Sequence, residues 1–321
     1  MRTPANTARS QQVKAANRKS SSALKRIMAN KYLYMMLAPV IAYFLLFEYK
    51  PMYGAIIAFK NFNPYQGIWD SPWVGFKHFN HFFDSYYFWR LLKNTVLISV
   101  YSLLIIFPAS IIFALMLNEV RSKWYKTIAQ TMSYLPHFIS LIVICGMIID
   151  FTSPNGIINR LIMGLGLVQE PVNFLILPEW FRSLYIGSGL WQSIGWNSII
   201  YLAALAGISP SLYEAAVVDG AGRWRQLWNI TIPSILPTIL ILLILNIGSL
   251  MSVGWDKIIL LYNSATYETA DVISTFVYRR GIMEADYSFS AAVGLFNSAI
   301  NFTLLIIANR ISRKTTESSL W

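Results

Sequence analysis

Charged residues are scarce in this chain, and cysteine is almost absent. Only 13% of the 321 residues are charged, whereas a soluble domain carries about 25%. The single cysteine, Cys145, lies in an apolar run, so no disulfide framework exists. There is no Gly-Lys pair, which excludes a phosphate-binding Walker loop. The 3 histidines are scattered and lack paired metal-ligand spacing. We therefore expect no catalytic centre, and no metal or cofactor bound by this chain.

Apolar residues predominate in this chain. They make up 55% of the chain, and the mean hydropathy is +0.48. Several apolar runs approach the roughly 20 residues that a helix needs to cross a bilayer. The sequence predicts an all-α integral membrane protein with a six-span domain over residues 32–308. The predicted spans are about 32–50, 95–117, 128–149, 184–208, 234–254 and 289–308.

The basic residues predict the orientation of these spans. If the N-terminus is cytoplasmic, 16 of the 26 Lys and Arg residues and only 4 of the 15 acids lie inside. Inside segments of membrane proteins are enriched in Lys and Arg. We therefore expect a cytoplasmic basic arm (1–31), a cytoplasmic loop (209–233) and a cytoplasmic tail (309–321). The net charge of +11 then indicates contact with membrane lipid, and no nucleic-acid partner is expected.

One polar segment between the fourth and fifth spans has an ordered pattern. It reads EAAVVDGAGRWRQLWNITIP and covers residues 214–233. Pro210 begins a helical pattern, and Gly220 and Gly222 can end that helix and allow a sharp corner. Pro233 suits the start of the fifth span, where a missing N–H costs least. The pattern predicts two short helices joined by a turn on the cytoplasmic face.

At these residues the chain resembles the EAA loop of ABC importer permeases. Ile232 stands where the family usually has leucine before the proline. The likeness extends over roughly residues 30–310, because the six-helix order also agrees. Residues 47–64 further resemble permeases of lipoprotein-dependent carbohydrate importers in the maltose-permease class. The positions that match the EAA motif are Glu214, Ala215, Ala216, Asp219, Gly220, Ile230 and Pro233.

The resemblance implies a type I importer permease fold that lies in a bacterial inner membrane and works by alternating access. It implies that the loop docks as a coupling helix on a separate ATPase, with Glu214 near a basic residue of that subunit and Gly220 at the turn. It further implies a second, similar but non-identical permease, two ATPases that bind ATP and Mg, and an extracytoplasmic sugar-binding protein. The implied cargo is a carbohydrate, an oligosaccharide above all. A neutral sugar and an acidic one, such as a uronate polymer fragment, both stay open.

Polar residues inside the apolar runs are candidates for the substrate pathway. Aromatic rings beside amides suit the flat faces and hydroxyl edges of sugars, although such residues also serve as packing groups between helices. In the sixth span, two asparagines share a narrow face with the small residues Ser290, Gly294 and Ser298. The candidates are Trp191, Gln192, Trp196, Asn197, Asn246, Ser249, Asn297 and Asn301.

Other functions are open but less well supported. A secondary transporter would need coupling carboxylates within its spans, and usually an internal repeat; neither is visible. A membrane enzyme would need acids or histidines clustered at one face, and the acids here are dispersed. Within the ABC family, the cargo could instead be an amino acid, a peptide or phosphate. The aromatic-rich outside segment 62–89 suits either an interfacial belt or a docking surface for the binding protein.

Overall fold

The computed structural model describes residues 28–316, which fold mainly into helices. The predicted arm up to residue 27, and residues 317–321, lie outside this range. The longer helices are α1 (Lys31–Tyr43), α2 (Lys77–Phe83), α3 (Phe88–Glu119), α4 (Lys123–Tyr134), α5 (Leu141–Thr152), α6 (Ile157–Gly164), α7 (Pro178–Ala206), α8 (Pro210–Val218), α9 (Ile232–Gly248), α10 (Trp255–Leu261) and α11 (Tyr287–Thr316). Shorter α-helices are Lys50–Met52, Gly67–Asp70, Arg223–Gln226, Tyr267–Ala270 and Ile273–Tyr278. Tyr53–Phe59 and Leu135–Phe138 are 3-10 helices, and Phe44–Tyr49, Leu227–Thr231 and Arg279–Met283 are π-helical.

Within residues 28–316, five helical stretches are long and apolar enough to cross a membrane. A sixth is obtained when α7 and α8, which meet at a bend of 67°, are counted as one span. The predicted all-helical membrane fold is thereby confirmed. The five stretches are Lys31–Phe59, Phe88–Glu119, Leu141–Gly164, Arg223–Gly248 and Tyr287–Lys314.

The third apolar run does not form the single continuous span that was predicted over 128–149. The structure divides it into α4, the 3-10 turn Leu135–Phe138 and α5. Pro136 lies in the turn and has no N–H to donate, so the α-helical bonding is interrupted there. Ile139 then adopts extended backbone (φ −76°, ψ 134°) before α5 begins at Leu141. The apolar stretch that is long enough to cross the membrane therefore begins only at Leu141, and it includes α6 as well as α5.

The first helical segment up to Ile56 forms a compact unit of its own. It continues past Glu48 and Lys50, through the π-helical turn Phe44–Tyr49, into Lys50–Met52 and Tyr53–Phe59. Pro51 has no N–H for the regular ladder, and the wider π turn lies directly before it. The charged residues therefore do not end this helix.

The unit from Ile57 onward contains the helical bundle. α3 packs along α7, and α9 packs along α11. One buried cluster (Ala114, Tyr201, Leu205 and Ile235) joins α3, α7 and α9. A second (Ile98, Cys145, Phe181, Val253 and Ile258, among others) joins α3, α5, α7 and α10. Between these two clusters, α3, α7 and α9 surround a shared space.

Candidate functional site

The corner after α8 is formed by main-chain geometry that glycine favours. Gly220 has φ +71°, in the left-handed region. Its N–H donates to the carbonyl of Val217 (3.0 Å), and the N–H of Ala221 donates to the carbonyl of Ala216 (2.8 Å). These two bonds form a Schellman motif, in which a left-handed residue ends a helix and satisfies its last carbonyls. The predicted helix–corner–helix is present.

The second half of the loop is fastened to the first. Helix Arg223–Gln226 leads through the π turn Leu227–Thr231 into α9. The side-chain amide of Gln226 donates to the Ala221 carbonyl (2.9 Å). The hydroxyls of Tyr213 and Thr231 hydrogen bond across the corner at 3.0 Å. These two hydrogen bonds hold the two short helices together as one element.

The outer surface of this element is open to a partner. Among the predicted coupling residues, Glu214, Ala215, Asp219, Gly220 and Pro233 are exposed, and Ala216 and Ile230 are half-buried. Large apolar side chains beside them are also uncovered: Val218 is 87% exposed and Trp224 is 76% exposed. Such an apolar patch around an acidic residue is typical of a protein interface.

A cavity of about 360 Å³ lies between α3, α7, α9 and the segment that follows α9. Its wall is rich in hydroxyl and amide groups and contains no charged residue. Its apolar part includes Leu103, Ile106, Phe107 and Leu242. The polar lining residues are Ser99, Ser102, Ser110, Tyr185, Ser193, Asn197, Tyr201, Asn246, Ser249 and Ser252.

The hydroxyl groups of two lining residues have hydrogen-bonding capacity to spare. The Oγ atoms of Ser99 and Ser102 are buried and make no hydrogen bond to another described residue. By contrast, Ser110 donates to the Ile106 carbonyl (2.8 Å), and Ser193 donates to the Gly189 carbonyl (2.7 Å). Buried polar groups normally find partners. Ser99 and Ser102 therefore mark a place where a hydroxylated ligand or water can bind.

The structure brings only part of the predicted pathway residues to this cavity. Asn197, Asn246 and Ser249 line it. Trp191, Gln192 and Trp196 do not, because they lie on other faces of α7. The ring of Trp196 stacks on His137 at 4.3 Å with an interplanar angle of 5°. On α7, the face at Ser193, Asn197 and Tyr201 is the one turned to the cavity.

Asn297 and Asn301 support the cavity wall from behind. Asn301 Oδ1 accepts the Met251 N–H (2.8 Å), and its Nδ2 donates to Ser252 Oγ (2.9 Å). Asn297 Nδ2 donates to the Met251 carbonyl (3.2 Å), and this residue lines a separate cavity of about 260 Å³ beside Trp255 and Tyr278. Irregular backbone within a membrane needs such partners. The two amides thus satisfy the non-helical stretch after α9, which contributes Ser252 and Gly254 to the wall.

A cluster of three arginines and one aspartate lies near the N-terminal ends of α3 and α7. Asp271 is fully buried and pairs with Arg279 (2.8 Å) and Arg90 (3.5 Å). Burial alone would lower the pKa of Arg279, but its bonds to Asp271 outweigh burial and raise it. Arg182 joins the group by donating Nη2 to Asn94 Oδ1 (2.9 Å), and Asn94 Nδ2 in turn donates to the Asp271 carbonyl (3.0 Å). Two guanidinium groups thereby pair with the Asp271 carboxylate, and a third is connected to the main chain of Asp271 through Asn94.

Several residues that line the cavity were missed by the sequence analysis, although a signal for them exists. Ser99, Ser102, Ile106 and Ser110 recur at helical spacing within one apolar run. Three small hydroxyl residues on one face of such a helix predict a polar stripe. On α7, Ser193, Asn197 and Tyr201 repeat every fourth residue in the same way.

Known proteins are similar to this chain in both sequence and fold. A family model described as "Binding-protein-dependent transport system inner membrane component" matches residues 106–317. Protein LplB of Bacillus subtilis (strain 168) is 46% identical over 301 residues, covering 94% of this chain and 93% of that protein. The polygalacturonan/rhamnogalacturonan transport system permease protein YteP of the same organism is 44% identical over 299 residues, covering 93% and 92%.

Solved structures give the same answer for the fold. A chain from the crystal structure of a bacterial ABC transporter involved in the import of the acidic polysaccharide alginate matches with a TM-score of 0.85 and 46% identity. The match covers 92% of this chain and 99% of that one. A chain of a bacterial alginate ABC transporter in complex with an alginate pentasaccharide-bound periplasmic protein matches with the same TM-score, 45% identity and the same coverage. The predicted importer permease fold is confirmed. The chain therefore belongs to the family of inner-membrane components of binding-protein-dependent transport systems, as a transmembrane permease subunit of an ABC importer.

Proposed function

We propose that this chain forms one half of the pathway by which an ATP-driven importer moves an oligosaccharide into the cell. The cavity between α3, α7 and α9 is the observation that carries the proposal. Hydroxyl and amide groups alternate there with the rings of Tyr185, Tyr201 and Phe107. Sugars combine apolar faces with hydroxyl edges, so this lining suits them. The names of YteP and of the alginate transporter support a carbohydrate cargo.

The partners follow from the same proposal. A second, similar but non-identical permease completes the pathway, since a single cavity of about 360 Å³ is small for an oligosaccharide. Two separate ATPase subunits bind ATP and Mg and carry out hydrolysis, so this chain itself is not an enzyme. An extracytoplasmic binding protein delivers the sugar, as the periplasmic protein in the alginate complex suggests. The α8 corner is the contact with the ATPase, through Glu214, Ala215, Ala216, Asp219, Gly220, Ile230 and Pro233.

Asn197→Leu provides the direct test of the cavity. Its amide is exposed to the cavity, and leucine would remove a hydrogen-bonding position for the sugar, which contributes about 0.5–1.5 kcal/mol. We expect sugar uptake in vesicles to fall about two- to tenfold, while the assembled complex keeps its basal ATPase activity. Trp191→Leu is the matched control, because Trp191 lies on the same helix outside the cavity. Equal uptake by the two variants would contradict the assignment of the cavity.

The orientation is tested by reporter fusions. The distribution of Lys and Arg supports the proposal that both termini and the α8 corner are cytoplasmic. A reporter fused after Lys126 or Gln226 should give a cytoplasmic signal, and one fused after Asp70 or Glu268 an extracytoplasmic signal. A cytoplasmic signal at Asp70 would overturn the six-span arrangement.

A further inference from the structure

Lys257 is a buried cation next to the wall of the cavity. Its residue is only 7% exposed. Its Nζ donates to the Tyr185 carbonyl (3.2 Å) and lies 5.0 Å from the centroid of the Tyr185 ring. Tyr185 and Gly254 are both lining residues of the cavity. A Cβ atom placed on Gly189, one turn further along α7, would lie 3.7 Å from the same Nζ. The ammonium thus lies directly behind the end of the cavity formed by Tyr185 and Gly254.

Within the described residues, this ammonium has no carboxylate partner. The ion pairs there are formed by Arg90, Arg279 and Arg280, and none includes Lys257. Asp256 precedes it, but one of its carboxylate oxygens accepts the main-chain N–H of Lys257 (3.0 Å) and its carboxylate makes no ion pair with Nζ. Burial lowers the pKa of Lys257 to about 8, and the charges of Cys145 and Asp256 act in the opposite direction. A buried ammonium without a direct ion-pair partner is unfavourable unless a ligand completes it.

Further cationic capacity lies on the same side of the cavity. Arg182 is three residues before Tyr185 on α7, and its Nε is buried without a hydrogen-bond partner among the described residues. The Nε of Arg90 is likewise buried and has no hydrogen-bond partner among the described residues. Arg90 and Arg279 pair with the carboxylate of Asp271, and Arg182 is connected to the main chain of Asp271 only through Asn94, so this group of three arginines and one aspartate keeps an excess of positive charge. An anionic ligand would be attracted towards the end of the cavity where Lys257 lies.

We propose that Lys257 determines specificity by binding a carboxylate of an acidic oligosaccharide, so that the cargo is a uronate-containing sugar. The inference rests on the proposed function and names the substrate class of the same cavity. The flexible lysine stem lets Nζ exchange the Tyr185 carbonyl for the sugar carboxylate. The side-chain hydroxyl groups of Ser99 and Ser102 then hydrogen bond to the hydroxyl groups of the same sugar residue. A neutral sugar would leave the ammonium unpaired, and the permease therefore prefers the acidic one.

The test uses the complete importer, with its partner permease, ATPases and binding protein, in proteoliposomes. The probes are trigalacturonate and its fully methyl-esterified form, which differ in charge and keep the same ring hydroxyls. The wild type should take up the acid faster than the ester. Lys257→Met should lower acid uptake about tenfold, the loss expected for a hydrogen bond to a charged group, and leave ester uptake unchanged. Lys257→Arg should restore most of the acid uptake.

Two further variants separate charge recognition from folding. Lys257→Gln keeps a donor for the Tyr185 carbonyl and removes the charge, so it should show the same loss of preference even where the methionine variant fails to assemble. Lys60→Met is the matched control. Lys60 is also buried (8% exposed) and donates to the carbonyls of Ile68 and Trp69 (2.7 and 2.9 Å), away from the cavity. It should leave the ratio of acid to ester uptake unchanged.

The outcomes distinguish this inference from the proposed function. An unchanged acid-to-ester ratio in Lys257→Gln, or a wild type that prefers the ester, would overturn the role of Lys257 and leave sugar import intact. A wild-type complex that hydrolyses ATP and takes up neither probe nor a neutral oligosaccharide would overturn the proposed function itself.

Discussion

Gly220→Val is expected to abolish sugar uptake almost completely while the chain still folds into the membrane. Gly220 holds φ +71°, and a side chain in this left-handed region costs about 1–2 kcal/mol. A β-branched residue is disfavoured there most. The helix end would rearrange, and the two bonds to Val217 and Ala216 would be lost. The corner would then meet the ATPase at a wrong angle, so ATP hydrolysis would no longer drive transport.

The measurement is sugar uptake in vesicles together with co-purification of the ATPase. A Cβ on Gly220 would meet nothing within 4 Å, so the defect arises from the backbone alone. Gly220→Asn is therefore the matched control, because asparagine tolerates the left-handed region. It should keep most of the uptake. If valine and asparagine behaved alike, the backbone shape of the corner would not matter for coupling.

Glu214→Arg tests the charge on the same element. Glu214 is exposed and makes no ion pair within the described residues, so its proposed partner is a basic group of the ATPase. Arginine would bring like charges together at that contact, and we expect partial detachment of one ATPase with a strong loss of uptake. Asp219→Asn, also on the exposed surface, should have a smaller effect. Full retention of the ATPase and normal uptake in Glu214→Arg would show that this residue does not face the ATPase.

Gly195→Ala is expected to destabilise the whole bundle. A Cβ at this position would lie 2.2 Å from the main-chain oxygen of Ser133, and backbone cannot move aside as a flexible side chain can. α7 and α4 would have to separate, and overpacking of this kind costs about 1–3 kcal/mol. The thermal midpoint of the purified complex should fall, and the yield of folded protein should fall with it.

Gly187→Ala is the control for this prediction. It changes the same residue type on the same helix, but its Cβ would meet nothing within 4 Å. Alanine should there leave the midpoint unchanged or raise it, since alanine favours the helix over glycine. Equal midpoints for the two variants would mean that α4 and α7 do not approach as closely as the structure shows.

The class of protein and its coupling corner could be predicted because both depend on local pattern. Apolar runs of sufficient length force helices in a bilayer, where each backbone group must be satisfied within its own segment. The corner needs only a glycine at the helix end and a following proline, and Gly220 has the positive φ that this pattern predicts. Pro136 gave a local signal too, but the apolar character of 128–149 concealed the break that it causes.

The pathway could be predicted only in part, because the rotation of a helix is fixed by its neighbours. Asn197 and Trp196 are adjacent in sequence, yet one lines the cavity and the other stacks on His137. Amide and aromatic side chains both suit a sugar pathway, so the sequence favoured the two residues equally. Asn301 was assigned to the pathway for its amide, but that amide satisfies Met251, a residue 50 positions away in the sequence. No local pattern reveals such a partner.

By itself the sequence determined that this chain is a helical membrane protein with a sharp corner at Gly220, and its resemblance to the EAA-loop family indicated an importer permease. The helical class and the corner follow from composition, spacing and backbone preference, which act over a few residues. Only the tertiary structure decided that Ser99, Ser102 and Asn197 share a cavity, that Gly195 must be small and that Lys257 is buried beside Tyr185. The reason is physical: burial and contact across helices depend on which faces meet, and that depends on the packing of the entire bundle.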